Sequence, residues 1–294
     1  MPIQIEQRFG LTEQDLTMIR QLEQQCLKAD LFPLKLNWDM LESRDSGVGD
    51  DFLAFDGESL VGFVGLYAFP GSETIEVSGM VHPDCRQNGV FRLLAERVKA
   101  EALSRGAEEL LYICPSASIG AIGYAKSRKL QYTHTEHLMR YDSTAAAIGT
   151  GDSPSSEESI ALIPASKSDL ARLIDLMQDG FGMSELLSRP YLESTLESTT
   201  DHTYMAHYKG EPIGTIRLMK DTHGAGIFGF VVDSAHRGRG LGRAILKQTV
   251  STLIAEGYTN LWLEVNAVND QALRLYESCG FRPVSSFEYY SQRL

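Results

Sequence analysis

The clearest chemical grouping in this chain is a basic, glycine-rich turn, Arg237-Gly238-Arg239-Gly240-Leu241-Gly242, placed behind the apolar pair Val231-Val232. Its chemistry is anion binding. From Leu241 onward Ile245, Leu246, Val250, Leu253 and Ile254 recur at helical spacing, so the turn lies at a helix start, where unpaired N–H groups and the helix dipole favour negative charge. Gly240 and Gly242 carry no side chain to hold a phosphate oxygen away from the backbone, and Arg237 and Arg239 add positive charge.

A second stretch follows at short range. Leu261-Trp262-Leu263-Glu264-Val265 reads as a strand, and Asn266, Asn269, Ala272, Leu275, Tyr276, Gly280 and Phe281 come after it. The pattern Arg-x-x-Gly-x-Gly after a strand, then Asn-x-x-Ala-x-x-x-Tyr and Gly-Phe, resembles the two signatures of the GNAT superfamily of N-acetyltransferases. That resemblance implies acetyl-CoA as co-substrate, with its pyrophosphate on Arg237, Gly238, Arg239, Gly240, Leu241 and Gly242. It also implies a backbone N–H of Val231 or Val232 for the thioester oxygen, preorganised as charge develops. Tyr276 becomes the general acid for the departing thiolate, since a phenol titrates near 10. Glu264, twelve positions earlier, resembles the carboxylate that helps deprotonate the amine in ribosomal-protein N-terminal acetyltransferases. Asn269 either caps the next helix or touches the cofactor arm.

Each of these residues has a structural reading as well. Tyr276 could simply pack beside Leu275 and Phe281, and a strand glutamate is commonly solvated or ion-paired. The side chains of Val231 and Val232 read as core. No metal is expected: His134 and His137 lie three apart on an alternating strand and face opposite sides, and Cys26, Cys85, Cys114 and Cys279 lack ligand spacing.

These groups need a scaffold, and the chain is long enough for two. It has 294 residues, 43% of them hydrophobic and 22% charged, which suits a two-domain globular protein. No apolar run reaches the ~18 residues of a membrane span and no secretory leader opens the chain, so a cytoplasmic location with no membrane partner is expected. A net charge of −12 argues against a nucleic-acid partner and agrees with a cationic amine as acceptor. The oligomeric expectation is a monomer or homodimer.

In chain order, Thr12-Glu13-Gln14-Asp15 resembles a helix-capping start, with Leu16, Ile19, Leu22, Cys26 and Leu27 on one apolar face behind it. A hairpin is expected at Asp56-Gly57. Residues 143–159 are rich in Ala, Gly, Ser, Thr and Pro and read as a linker. Beyond them the order of elements begins again, with Lys209-Gly210-Glu211 in the position of Asp56-Gly57-Glu58. One offset, 237 − 86 = 151, pairs Val81 with Val232, Gly89 with Gly240, Arg92 with Arg243 and Ala121 with Ala272. The reading is an α/β chain of two tandem GNAT-type domains, each a mixed, mostly antiparallel twisted sheet flanked by helices. Residues 1–142 form a degenerate N-terminal domain, because Phe91 stands at Gly242, Ile113 at Glu264, Ser118 at Asn269 and Ala125 at Tyr276; residues 160–294 form the catalytic domain. The expected function is acetyl transfer from acetyl-CoA to a primary amine by direct attack. Two alternatives stay open: a noncatalytic acyl-CoA-binding or sensing protein, and a transferase acting on an amino-sugar conjugate, as the tandem layout resembles mycothiol synthase.

Overall fold

The computed structural model describes residues 2–69, 71–146, 160–198, 201–221 and 224–294. Most of the expected linker, from 147 to 159, lies outside the described residues, as does His223. The chain separates into two compact units, Met1–Thr135 with Ser285–Leu294, and Glu136–Val284. No helix among the described residues is long and apolar enough to cross a membrane.

The first unit begins with β1 (Gln4–Arg8) and α1 (Glu13–Asp30). A capping box starts α1: Thr12 Oγ1 accepts from the Asp15 N–H at 3.1 Å and Asp15 returns a carboxylate to the Thr12 N–H at 3.0 Å. Ile19, Leu22 and Cys26 are buried, whereas Leu27, expected on the same face, is exposed. Then come α2 (Trp38–Glu42), β2 (Asp51–Asp56), β3 (Ser59–Ala68), β4 (Thr74–Val81), α3 (Val90–Ser104), β5 (Glu109–Pro115), α4 (Ile119–Ser127) and β6 (Gln131–Tyr141). Strands β1 to β4 pair antiparallel and β4 runs parallel to β5. Helix α3 packs Val90, Leu94, Val98 and Ala102 on one face of the sheet; α1 and the segment carrying Leu36 and Leu41 cover the other. Each such fully buried aliphatic side chain contributes about 1.5–3 kcal/mol.

The second unit repeats this plan. After the short helix α5 (Ser143–Ala146) come β7 (Ile160–Pro164), α6 (Leu170–Phe181), α7 (Glu185–Glu197), β8 (Asp201–Tyr208), β9 (Glu211–Lys220) and β10 (Ala225–Val232). Helix α8 (Leu241–Ala255), β11 (Leu261–Asn266), α9 (Asp270–Ser278) and β12 (Phe281–Arg293) complete it. Ile245, Leu246, Val250 and Leu253 of α8 are buried on one face of the sheet, while α6 and α7 cover the other with Leu173, Leu176, Met177 and Leu192. Each sheet is mixed, mostly antiparallel and open, with flanking helices, as the sequence suggested.

Two features were not foreseen. The last strand changes unit: residues 287–293 of β12 pair with β5, setting Tyr289 against Ile113, while residues 136–140 of β6 pair with β11, setting Leu138 against Glu264. The two ladders share the repeat offset in both strands, since 264 − 113 and 289 − 138 are both 151. Residues 285–294, assigned from chain order to the second domain, thus belong to the first unit. The second feature is a register shift on β10 between Phe228 and Val231, at Gly229 with φ +52°. The bulge adds one residue to β10 relative to its partner. The strand pairings make Gly57-Glu58 and Lys209-Gly210 the corresponding hairpin loops, one position off the gap-free offset.

Candidate active site

The glycine-rich turn is built by a short helical bend. Asp233 caps it by accepting from the Ala235 N–H at 2.9 Å, and Arg172 holds the Asp233 carboxyl below its ordinary pKa. The chain reverses through Gly238 (φ +74°) and Gly240 (φ +78°) into α8. A Cβ at either glycine would meet nothing within 4 Å, so the positive φ demands glycine while the space beside the backbone stays open. Helix α8 starts at Gly240 without a side-chain cap, leaving its first-turn N–H groups to face whatever enters. Gly242 is closer packed: a Cβ there would lie 3.5 Å from Leu275 and 3.6 Å from Val232. The Leu241 side chain is buried and anchors the helix start.

The two arginines of the turn part company. Arg239 is exposed, its guanidinium 5.5 Å from the centre of the Tyr208 ring. Arg237 is turned back into the fold: Nε donates to the Val232 carbonyl at 2.8 Å and Nη2 to the Asp179 carboxylate at 2.6 Å. Its carboxylate partner, 58 residues upstream near the end of α6, ties the side chain to the fold, and the guanidinium remains more than a third exposed beside the turn. Arg86 repeats the arrangement, donating to the Val81 carbonyl at 3.0 Å and to Asp30 at 2.6 and 2.7 Å.

The bulge on β10 sets the backbone before the turn. Asp233 N–H donates to Ile213 at 2.8 Å, and alternation then directs the Val231 amide and carbonyl to β9 as well. A Cβ on Gly214 would lie 2.4 Å from the Val231 oxygen, in agreement. Val232 therefore presents its N–H and C=O on the opposite edge. On that edge the parallel ladder to β11 runs only from Ala225↔Leu261 to Ile227↔Leu263. Of the two valines expected to face an oxyanion, Val232 has its amide at the place where β10 and β11 lose their pairing, and Val231 does not.

Tyr276 and Glu264 lie on opposite faces of the sheet. Leu261, Leu263 and Val265 are buried in the same cluster as α8, Tyr276 and Phe281. Alternation places Trp262, Glu264 and Asn266 on the opposite face, where Trp262 meets Phe228 edge-on at 5.1 Å. Burial pushes the Tyr276 hydroxyl up to about 12, with Cys279 adding to the shift, so the phenol keeps its proton at neutral pH. Glu264 is half-buried, and past Leu263 its strand is paired with β6 alone. Asn269 caps α9, accepting from the Ala272 N–H at 3.1 Å. Among the described residues no cluster of three His, Cys, Asp or Glu side chains is arranged to hold a metal.

In the first unit the same positions hold different groups. Gln87 takes φ +63° where Gly238 stands, and Gly89 keeps φ +81°. Phe91, at the place of Gly242, packs edge-on against Tyr124 at 4.7 Å. Ile113 and Ala125 are buried apolar side chains where Glu264 and Tyr276 stand. Asp179, Tyr208 and Leu138 at the second site were missed from sequence. The lone Gly229 within an apolar strand was a readable sign of the bulge; the others come from remote segments.

The family model described as the Acetyltransferase (GNAT) family matches residues 16–129 and 170–281. Over 57 residues the chain is 46% identical to the [Ribosomal protein bS18]-alanine N-acetyltransferase of Escherichia coli (strain K12), covering 19% of this chain and 38% of that protein. Over 66 residues it is 35% identical to the protein of the same name from Haemophilus ducreyi, covering 22% and 46%. The chain thus spans under half the length of these curated relatives. Among solved structures, a GCN5-related N-acetyltransferase from Sphaerobacter thermophilus superposes with a TM-score of 0.76 at 17% identity, over 98% of this chain and 95% of that one. A tandem GNAT protein from the clavulanic acid biosynthesis pathway gives 0.74 at 17% identity, over 99% and 98%. At such identities these two likenesses speak for the fold.

Proposed function

Because the chain belongs to the GNAT acetyltransferase family, with both halves matched, we propose that its second unit transfers an acetyl group from acetyl-CoA to a primary amine by direct attack, and that the first unit is a degenerate copy. One arrangement carries this reading: the Glu264 carboxylate sits on β11 just past the point where β10 leaves it, with the Val232 N–H directed to that edge, and a proton-holding phenol, Tyr276, lies on the other face of the sheet. The N–H groups of Gly238 to Gly242 and the Arg239 charge hold the pyrophosphate, and the open space beside Gly238 and Gly240 fits a group that must approach the main chain closely. Val232 N–H donates to the thioester oxygen as negative charge grows there. Glu264, directly or through a water, takes a proton from the ammonium so that its nitrogen lone pair can attack the carbonyl carbon. Tyr276 donates to the sulfur as the carbon–sulfur bond breaks. Its high pKa guarantees the proton is present; the negative charge of the leaving thiolate is what draws it off.

The resemblance to ribosomal-protein N-terminal acetyltransferases at Glu264 and Tyr276 supports chemistry over mere carrier binding. The test is release of free thiol from acetyl-CoA by the purified chain with a panel of polyamines, amino acids, aminoglycosides and peptide N-termini. Tyr276→Phe should lower kcat about 100-fold with the Kd for CoA unchanged. Tight CoA binding without turnover on any acceptor would replace the enzyme reading with that of an acyl-CoA sensor.

A further inference from the structure

Glu264 stands among apolar side chains on its face of the sheet. The ladder between β10 and β11 ends at Ile227↔Leu263, and the next residues on the two strands are Phe228 and Glu264. On β11 itself Trp262 precedes Glu264 by two positions and shares its face. Across the antiparallel ladder to β6 the partner of Glu264 is Leu138. Two rings and an aliphatic side chain thus flank the carboxylate, and Asn266, further along β11, is the polar neighbour.

The two rings are fixed from below and behind. Trp262 and Phe228 meet edge-on with centres 5.1 Å apart, over Gly226, where a Cβ would lie 2.6 Å from the Phe228 ring and 2.8 Å from that of Trp262. The glycine yields its space to the rings. The Arg217 guanidinium stands 4.9 Å from the centre of Phe228 and 5.3 Å from that of Tyr191, and donates to Asp201 at 2.8 Å. Side chains packed in this way have little rotamer freedom left to lose when a ligand settles on them. Both rings are half-buried, so each keeps part of its surface for such a ligand. The cross-strand partner of Trp262 is Arg140, exposed on the same face; a second ammonium over Trp262 would meet that positive charge, whereas an apolar group would not.

We propose that the acceptor is a primary amine carrying an apolar group, aromatic or branched, which lies on Trp262 and Phe228 while the nitrogen is at Glu264. The inference rests on the reading of Glu264 as the base. Two residues along a strand span about 7 Å, the reach of a ring joined to the nitrogen through about two or three bonds. A free amine and a peptide N-terminus with an apolar first side chain present the same chemistry here. Covering the rings takes apolar surface out of water, while a polyamine or an aminoglycoside would give up hydration of its charges or hydroxyls against them. The expected preference is about 10- to 100-fold.

Steady-state kinetics of the full chain with acetyl-CoA test it in two arms. In one, 2-phenylethylamine should exceed 1,4-diaminobutane in kcat/KM; in the other, a peptide beginning with Phe should exceed the same peptide beginning with Ser, each by at least about tenfold. The arm that shows the preference identifies the source of the amine. Trp262→Ala should reduce the preference to about twofold, mainly through a higher KM for the apolar acceptor and with the Kd for CoA unchanged, and Trp262→Phe should restore most of it. Equal or faster turnover of polar acceptors would overturn the proposal and leave the acetyltransferase reading in place, as would a preference that survives Trp262→Ala. No turnover of any amine would remove that reading and this inference with it. If Trp262→Ala does not fold, the wild-type preference decides the point by itself.

Discussion

The two turns at Arg86 and Arg237 share a fastening and differ in what lies in front of it. Both arginines reach the carbonyl of the preceding strand and a carboxylate in the last turn of a helix, Asp30 of α1 and Asp179 of α6, and both turns enter a helix through a positive-φ glycine. One residue into the helix the first copy carries the Phe91 ring against Tyr124, and the second carries Gly242, with no side chain there. The lesson is that a glycine turn at a helix start is a fold device first. Under the proposed function it binds an anion only where the approach to its amides is left clear.

Exchanging the two residues is the hardest blow the comparison can receive. Gly242→Phe should cost at least about 100-fold in CoA affinity, or about 3 kcal/mol, with an unchanged far-UV spectrum; retained affinity would mean that Phe91 is not what silences the first copy. Next in size, Glu264→Gln should lower kcat/KM for the amine by about 10- to 100-fold near neutral pH and leave CoA binding intact. Ile113, buried against Tyr289 in the other copy, offers no such handle, so Ile113→Val should leave turnover as it was.

The buried charges sharpen the contrast further. Asp51, fully buried beside Arg44 in the first unit, has its pKa raised from 3.8 to about 6 by burial, against the opposing pull of Arg44. A carboxyl whose folded pKa is raised contributes stability that is complete below about pH 4 and lost as pH rises through about 6. The stability difference between wild type and Asp51→Asn, from urea titrations at pH 4, 5, 6 and 7, should therefore shrink with rising pH by about 2 kcal/mol. The smallest effect is expected at the fastenings: both guanidinium groups are more than a third exposed, so Arg86→Ala and Arg237→Ala should each cost only about 1 kcal/mol of stability. Nearly equal losses would support their shared role. A large loss of CoA affinity in Arg237→Ala with no loss of stability would return Arg237 to direct phosphate binding.

Much of this was legible in the chain because it is local. The capping box at Thr12, the apolar periodicity of α8 and the strand-turn-helix order around Gly238 to Gly242 all depend on residues a few positions apart. Glu264 and Tyr276 stand out in the sequence through a family resemblance, and their placement on opposite faces needed the alternation of β11 and the packing of α9. What escaped depended on distant partners. Nothing near Arg237 announces Asp179, and Leu27 and Ile254 follow the helical period yet stand exposed because no element covers them. The exchange of β6 and β12 was invisible for a more basic reason: the two strands sit at equivalent places in the repeat, so either pairing satisfies the same register.

That exchange bears on how such a protein can evolve. The ladder beside Glu264 is supplied by residues 136–140, ahead of the segment between the two copies, and residues 287–293 complete the sheet of the first unit. Phe91, Ile113 and Ala125 stand in the first unit where the second has Gly242, Glu264 and Tyr276, and a chain beginning after residue 146 would lack the strand β6 that pairs with β11. The ancestral duplication has become irreversible through its hydrogen bonds, whatever selection asks of the activity.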